Sequence, residues 1–274
     1  MTWAYLDGSY LPAAEARLAA ADAGLLYSRG LFETFRARRG AVYRLEDHLG
    51  RLRSGARLLG IVPPDALTGL AEIVRELARR CGIDDARVRL TLTAGPEGGQ
   101  PSLLIQVRAA MDYPESLYQR GVSAVVAAVR RNERSPLSRV KSLNYLDNIL
   151  AREWAQATGA DAAILLNTRG LLTEASTSNL FVIREGELLT PPVEDGALPG
   201  VTRGAVLELA RDAGIAVREK SLTLGDLRMA DEAFLTNAVM GVMPLVSVDG
   251  ARVGDGRPGA LTARIRGLYE AATT

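Results

Sequence analysis

The chain opens with a short run of apolar residues, Trp3 to Leu6, then a turn at Asp7-Gly8 and a second apolar pair, Tyr10-Leu11, the pattern of a β-hairpin. A second hairpin is predicted from Leu31 to Arg36 and from Val42 through Leu45, turning at Arg39-Gly40. From Glu46 to Leu59 the period lengthens: Leu49, Leu52, Ala56 and Leu59 recur at helical spacing. Pro63-Pro64 breaks that helix, and Leu67 to Cys81 predicts another. Strands from Val88 to Thr93 and from Leu103 to Val107 flank a glycine-rich loop, Gly95 to Gly99. Periodicity then weakens over 111–120, around Asp112 and Pro114, which predicts a linker between an N-terminal domain over 1–110 and a larger C-terminal domain over 121–274.

The second half begins with a buried strand, Val122 to Val129, and a polar loop to Ser138. Leu143, Leu146, Leu150 and Trp154 mark one face of a helix, which would put Lys141 at its start. Ala162 to Leu166, Leu180 to Ile183 and Leu188-Leu189 alternate with turn residues as a small meander. Val201 to Ala213 predicts a helix ended by Gly214, followed by strands at Ile215 to Val217, Ala233 to Thr236 and Val242 to Val248.

Composition narrows the chemistry. With 274 residues, 47% apolar, 24% charged and a net charge of +1, the chain has ample core and no charge bias toward nucleic acid or an anionic membrane. No apolar run reaches the length of a membrane span, and Asp7, Glu15 and Arg17 argue against a secretory leader, so a cytoplasmic enzyme is the expectation. The single cysteine, Cys81, fits a reducing compartment. The single histidine, His48, lies on a predicted amphipathic helix. Multi-ligand zinc sites are therefore excluded, no metal is expected, and a Ser-His-Asp triad has one candidate base.

The remaining candidates are short ordered segments. Lys141 and Lys220 are the two lysines in a chain that otherwise uses arginine, and a lysine flanked by Val140 and Leu143 can lose its proton, which arginine cannot. Glu174, in G-L-L-T-E-A-S-T-S-N-L-F, reads either as an exposed loop glutamate or as a carboxylate for a ring nitrogen. Leu198-Pro199-Gly200-Val201-Thr202 runs into a helix start, where backbone N–H groups suit a phosphate. Arg51, one turn after His48 and on the face away from Leu49 and Leu52, is a phosphate clamp or a surface arginine. Thr236-Asn237-Ala238 ends a strand, where ligands often meet a chain. Amine, carboxylate and helix start together are the minimum for pyridoxal 5'-phosphate.

With these residues in view the chain resembles the fold-type IV (class IV) pyridoxal-phosphate family along nearly its whole length. The matching segments are D-A-G-L-L-Y-S-R-G-L-F-E-T-F, H-L-G-R-L, V-K-S-L-N-Y-L-D-N-I-L-A-R, L-T-E-A-S-T-S-N-L-F, L-P-G-V-T-R and T-N-A-V-M-G-V-M-P-L. The resemblance implies a two-domain mixed α/β fold and a homodimer whose site lies between the domains. It implies Lys141 as the Schiff-base lysine, Glu174 as the pyridinium partner with Asn179 beside it, and phosphate contacts from Arg51, Val201, Thr202 and the Asn237-Ala238 turn. Relatives often supply a hydroxyl where this chain has Ala238, so here backbone alone would serve.

Within the family, the segment from Thr236 to Pro244 and the F-E-T run look most like aminodeoxychorismate lyases. Glu174 to Asn179 departs from the E-G-x-G-E-N type segment of branched-chain aminotransferases, and the R-x-H pair of D-amino acid aminotransferases is missing. Ser28-Arg29 replaces the usual Gly-Asp, and the loop from Ala94 to Pro101 lacks an arginine common in relatives. Cleavage of 4-amino-4-deoxychorismate to 4-aminobenzoate and pyruvate is the first expectation. Transamination of D-amino acids, branched-chain L-amino acids or amines is the second. In the first, Tyr27, Arg29 or Thr34 would help hold the substrate.

Overall fold

The computed structural model describes residues 2–111 and 113–273. It divides the chain into two compact units: Met1–Asp112 with Val140–Asn144, and Tyr113–Arg139 with Tyr145–Thr274.

The first unit contains β1 (Trp3–Leu6), β2 (Ser9–Pro12), α1 (Ala23–Tyr27), β3 (Gly30–Arg38), β4 (Ala41–Val42), α2 (Leu45–Leu59), α3 (Leu70–Cys81), β5 (Asp85–Thr93) and β6 (Leu103–Ala109). The six strands form one antiparallel sheet in the order β2-β1-β6-β5-β3-β4. Both predicted hairpins are present, the second with a shorter return strand, because α2 begins at Leu45. The period of two sorts the sheet into unlike faces. Leu31, Glu33, Phe35, Val88, Leu90, Ile105 and Val107 are buried on the face that α2 and α3 cover. Gly55 lets α2 lie close, since a Cβ there would stand 3.0 Å from the Leu31 side chain. The opposite face carries Phe32, Thr34, Arg36, Arg87, Arg89, Gln106 and Arg108.

Val140–Asn144 adds to this sheet. The Phe32 N–H donates to the Lys141 carbonyl at 2.9 Å, and the Leu143 N–H donates to the Gly30 carbonyl at 2.9 Å. Lys141 is therefore not at a helix start. It lies on an extended stretch bridged to Leu31 through Ser142, on the edge of β3 that β4, pairing at Ala37 and Arg38, leaves to it.

The second unit contains α4 (Glu115–Arg120), β7 (Val122–Arg131), α5 (Leu146–Ala157), β8 (Ala162–Asn167), β9 (Leu172–Ala175), β10 (Ser178–Arg184), β11 (Glu187–Thr190), α6 (Val201–Asp212), β12 (Val217–Glu219), α7 (Leu224–Arg228), β13 (Glu232–Asn237), β14 (Gly241–Val248), β15 (Ala251–Arg252) and α8 (Ala260–Thr273). Six strands close on themselves in the order β9-β10-β13-β14-β7-β8, with β8 returning to β9. Closure removes sheet edges and fixes register around a core that includes Ile164, Leu180, Leu235 and Met243. Asp112 lies outside the described residues, but most of the stretch expected to be a linker is structured: α4 forms there, and Tyr113, Leu117 and Tyr118 pack on this core.

The apolar stripe expected to bury α5 faces away from its sheet. Leu146, Leu150 and Trp154 are exposed at 64%, 48% and 44%, while Asn148, Ala151 and Ala155 are buried. The small residues win because they let the helix approach Ala127, Ala163 and Leu165 closely. Among the described residues no helix is long and apolar enough to cross a membrane.

Candidate active site

In the first unit, chemistry gathers at the start of β3. The Lys141 Nζ stands 4.5 Å from the centre of the Phe32 ring, and the Arg89 guanidinium carbon stands 3.9 Å from the same centre. Lysine and arginine are thus separated by no more than the sum of those two distances. Thr34 sits on this polar face, directly opposite Arg89 in the β3–β5 register. Tyr27 is exposed at the end of α1. Arg29 donates through Nε and Nη2 to the Leu59 carbonyl, closing the C-terminus of α2.

Arg51 does not project away from the core side of α2. Its Nε and Nη2 donate to Glu33 at 2.8 and 2.6 Å, and its side chain is 12% exposed. Glu33 is the reason: alternation puts this carboxylate on the covered face of β3, and a buried charge draws in a partner. The His48 Nδ1 is also 2.8 Å from Glu33. Burial alone would raise the Glu33 pKa. The Arg51 charge and the hydrogen bonds from His48 and Arg51 outweigh it and hold the pKa at about 2, against an ordinary 4.5. The carboxylate is therefore ionised, and His48 Nδ1 donates to it.

A depressed folded-state pKa stabilises the fold while the group is ionised, so this contribution is complete above about pH 4.5 and disappears as pH falls toward 2. It should amount to a few kcal/mol. Urea unfolding at stepped pH should show that loss between those limits, and Glu33→Gln should flatten it.

In the second unit Glu174 lies on β9, not in a loop, and is 5% exposed. Its Oε1 accepts from Arg131 Nη2 at 2.5 Å; its Oε2 accepts from the Leu198 N–H at 3.0 Å and from Asn179 Nδ2 at 3.3 Å. Arg131 is anchored in turn by Asn148 and by the Gly196 carbonyl. Asn179 also donates to the Leu198 carbonyl at 2.8 Å, which ties the loop before α6 to the glutamate. Gly200 is required by close approach, because a Cβ there would come within 1.9 Å of Asn179 Oδ1. Val201 and Thr202 open α6, whose N-cap, Gly200, offers no side chain to its first N–H groups. Thr202 is buried, its hydroxyl 3.4 Å from that of Tyr269. Asn237 Oδ1 accepts from the Val239 and Met240 N–H groups, so its side chain shapes the turn that contains Ala238.

These groups suit pyridoxal phosphate. The second unit offers a helix start without a side-chain cap and a buried carboxylate, and the first unit offers an amine against an aromatic ring, each a kind of group this cofactor uses. In addition, the Thr236 hydroxyl is buried without a hydrogen-bond partner, and Thr236 pairs with Asn179 across β10 and β13.

Sequence reasoning missed Arg131, Asn148, Glu33 and Arg89. Glu33 had a signal, an acid at an inward position between Leu31 and Phe35, with His48 and Arg51 spaced one turn apart. Arg131 had none, since only the fold brings it to Glu174.

The amino-transferase class IV family model matches residues 30–248, and the chain belongs to this pyridoxal-phosphate-dependent family. A putative branched-chain-amino-acid aminotransferase from Methanocaldococcus jannaschii is 34% identical over 97% of this chain and 94% of its own length. The branched-chain aminotransferase from Thermoproteus uzoniensis, solved with norvaline, superposes with a TM-score of 0.90 at 34% identity, covering 98% of this chain and 93% of that one. A putative 4-amino-4-deoxychorismate lyase from Legionella pneumophila does so with a TM-score of 0.87 at 28% identity, covering 95% of this chain and 97% of that one.

Proposed function

We propose that the chain is a pyridoxal-phosphate transaminase, one of whose substrates carries a second carboxylate. The observation that carries the substrate class is the polar face of the first unit's sheet. Arg36, Arg87 and Arg108 stand directly opposite one another across β3, β5 and β6, with Arg89 two residues along from Arg87. Like charges in such a row destabilise a sheet. Arg36 is paired with Asp85, but the row as a whole is unfavourable for folding and favourable for an anionic ligand. A wholly apolar side chain gains little from it. The aminotransferase names of relatives that match nearly the whole chain support transamination over cleavage.

In this reading Lys141 would hold the cofactor at rest, then take the proton from the substrate carbon and deliver it to the cofactor carbon, so that the amino group stays behind when the keto acid leaves. The bound cofactor supplies an aldehyde for the substrate amine and a ring that withdraws electrons from the reacting carbon. Glu174 holds the ring nitrogen, with Arg131, Asn179 and the Leu198 N–H keeping the carboxylate in position. Arg51 and the first N–H groups of α6 hold the phosphate. Arg89 takes a substrate carboxylate. The enzyme works as a cytoplasmic homodimer; the exposed Leu25, Leu26 and Tyr27 of α1 and the outer stripe of α5 supply apolar surface for a second copy.

The arginine row suits the two carboxylates of 4-amino-4-deoxychorismate equally, which keeps the lyase as the second reading. Cofactor absorbance during addition of either enantiomer of glutamate, of leucine, and of aminodeoxychorismate separates them. Stoichiometric conversion to the pyridoxamine form, stronger with glutamate than leucine, is expected. Pyruvate and 4-aminobenzoate released with return of the starting spectrum would make it the lyase, and no response to any of these compounds would sink both.

A further inference from the structure

Glu33 takes no part in the chemistry above, yet it occupies one of the best-shielded places in the first unit. We propose that it is the positioning residue of the phosphate arm: it fixes the Arg51 guanidinium in the orientation from which that group holds the cofactor phosphate, and His48 holds Glu33. This rests on the reading of Arg51 as a phosphate ligand.

The neighbours of Glu33 on the covered face are Leu31 and Phe35, and a hydrocarbon side chain would fill its place without desolvating a charge. A buried acid in such a row therefore signals a requirement other than packing. Its bonds show what the requirement is. A guanidinium on an exposed helix face samples many rotamers, and that freedom is lost on binding an anion. Here Nε and Nη2 are both engaged by Glu33, at 2.8 and 2.6 Å, so one edge of the planar fork is pinned and its rotation is fixed before any ligand arrives. A carboxylate with a single partner could pivot with it. The His48 Nδ1, at 2.8 Å and itself 2% exposed, removes that freedom and ties Glu33 back to α2, one turn from Arg51. Phe35 packs against the His48 ring, with centres 5.1 Å apart, which fixes the imidazole in turn. The arrangement is a rigid bracket from β3 to α2 that ends in a cation.

Charge and position can be tested apart. Glu33→Asp keeps the buried charge and withdraws it from Arg51 by one methylene, whereas Glu33→Gln keeps the reach and removes the charge. Apo protein is titrated with pyridoxal phosphate and with pyridoxal, which lacks the phosphate, following cofactor absorbance. Glu33→Asp should weaken the phosphorylated ligand by about tenfold to a hundredfold, the range for outer-shell partners of a bound ion, and leave pyridoxal within about twofold. In an Arg51→Gln background the same change should add nothing, because its effect passes through Arg51. An equal loss for both ligands, or a loss that persists without Arg51, would overturn the proposal and leave Glu33 a scaffold residue. If Arg51→Gln alone binds pyridoxal phosphate as tightly as the parent, the phosphate reading of Arg51 falls and this inference falls with it. Should Glu33→Asp fail to fold by circular dichroism, Glu33→Gln takes its place in the same titrations and is judged by the same phosphate-specific loss.

Discussion

Replacing Lys141 by alanine is expected to lower turnover by about a thousandfold or more while leaving the fold in place. In the proposed reaction this side chain forms the covalent link and moves the proton, and Lys220 is the only other lysine in the chain. The fold does not depend on it, because the bond to the Phe32 N–H is made by the Lys141 backbone carbonyl, which alanine retains. Steady-state rates with whichever substrate the parent accepts, alongside near-ultraviolet circular dichroism, provide the check. Partial recovery on adding a small primary amine would identify the missing group as the amine of Lys141. A variant within tenfold of the parent would take Lys141 out of the reaction.

The second large effect is expected at Glu174, where the two obvious substitutions should part company. Glu174→Ala leaves Arg131, whose side chain is 18% exposed, without its carboxylate, and also strips a partner from the Leu198 N–H and from Asn179. Breaking a largely buried ion pair in this way should cost about 3 kcal/mol. Glu174→Gln keeps the acceptor oxygen and most of the packing, and should lose less than half of that. Turnover should nevertheless fall by about a hundredfold in both, because neither side chain can hold a proton on the ring nitrogen. Urea unfolding and steady-state kinetics on the same preparations separate the outcomes. If glutamine restores both stability and rate, Glu174 is a structural partner of Arg131 and nothing more.

Both variants act on residues that the sequence singled out, but not for the surroundings that it suggested. Periodicity found the two hairpins of the first unit, α2, all of α3 with a start three residues early, and the strands around Leu180 and Leu235, since each has a strong alternating or helical pattern of large apolar residues. It misplaced α5 because helix burial was judged by size. The buried positions there are Asn148, Ala151 and Ala155, and the large residues Leu146, Leu150 and Trp154 face outward. It passed over β9 because L-T-E-A is too short and too polar to stand out, although closure of the barrel makes it a buried strand. It missed α8, where Ile265 and Tyr269 are buried amid charged and small residues. Arg51 was assigned to the outer face of its helix because the apolar stripe alone defined the inner one. A buried carboxylate on another strand was needed to turn it inward, and pairing across strands is not written in local order. The hydrogen bonds that join Arg131 to Glu174 and to Asn148 span 43 and 17 residues, and are illegible for the same reason.

The addition of Val140–Asn144 to the edge of β3 has a consequence for how the molecule is made. The first unit's sheet is incomplete until a segment about 110 residues downstream of Phe32 has left the ribosome, and closing so long a loop is slow compared with forming local hairpins. During that interval the Phe32 N–H and Gly30 carbonyl lie on an open strand edge, the kind of surface on which nascent chains associate with one another. Lys141 is therefore among the last parts of its sheet to be laid down, and a truncated product ending before Val140 would carry an unfinished edge where that lysine belongs.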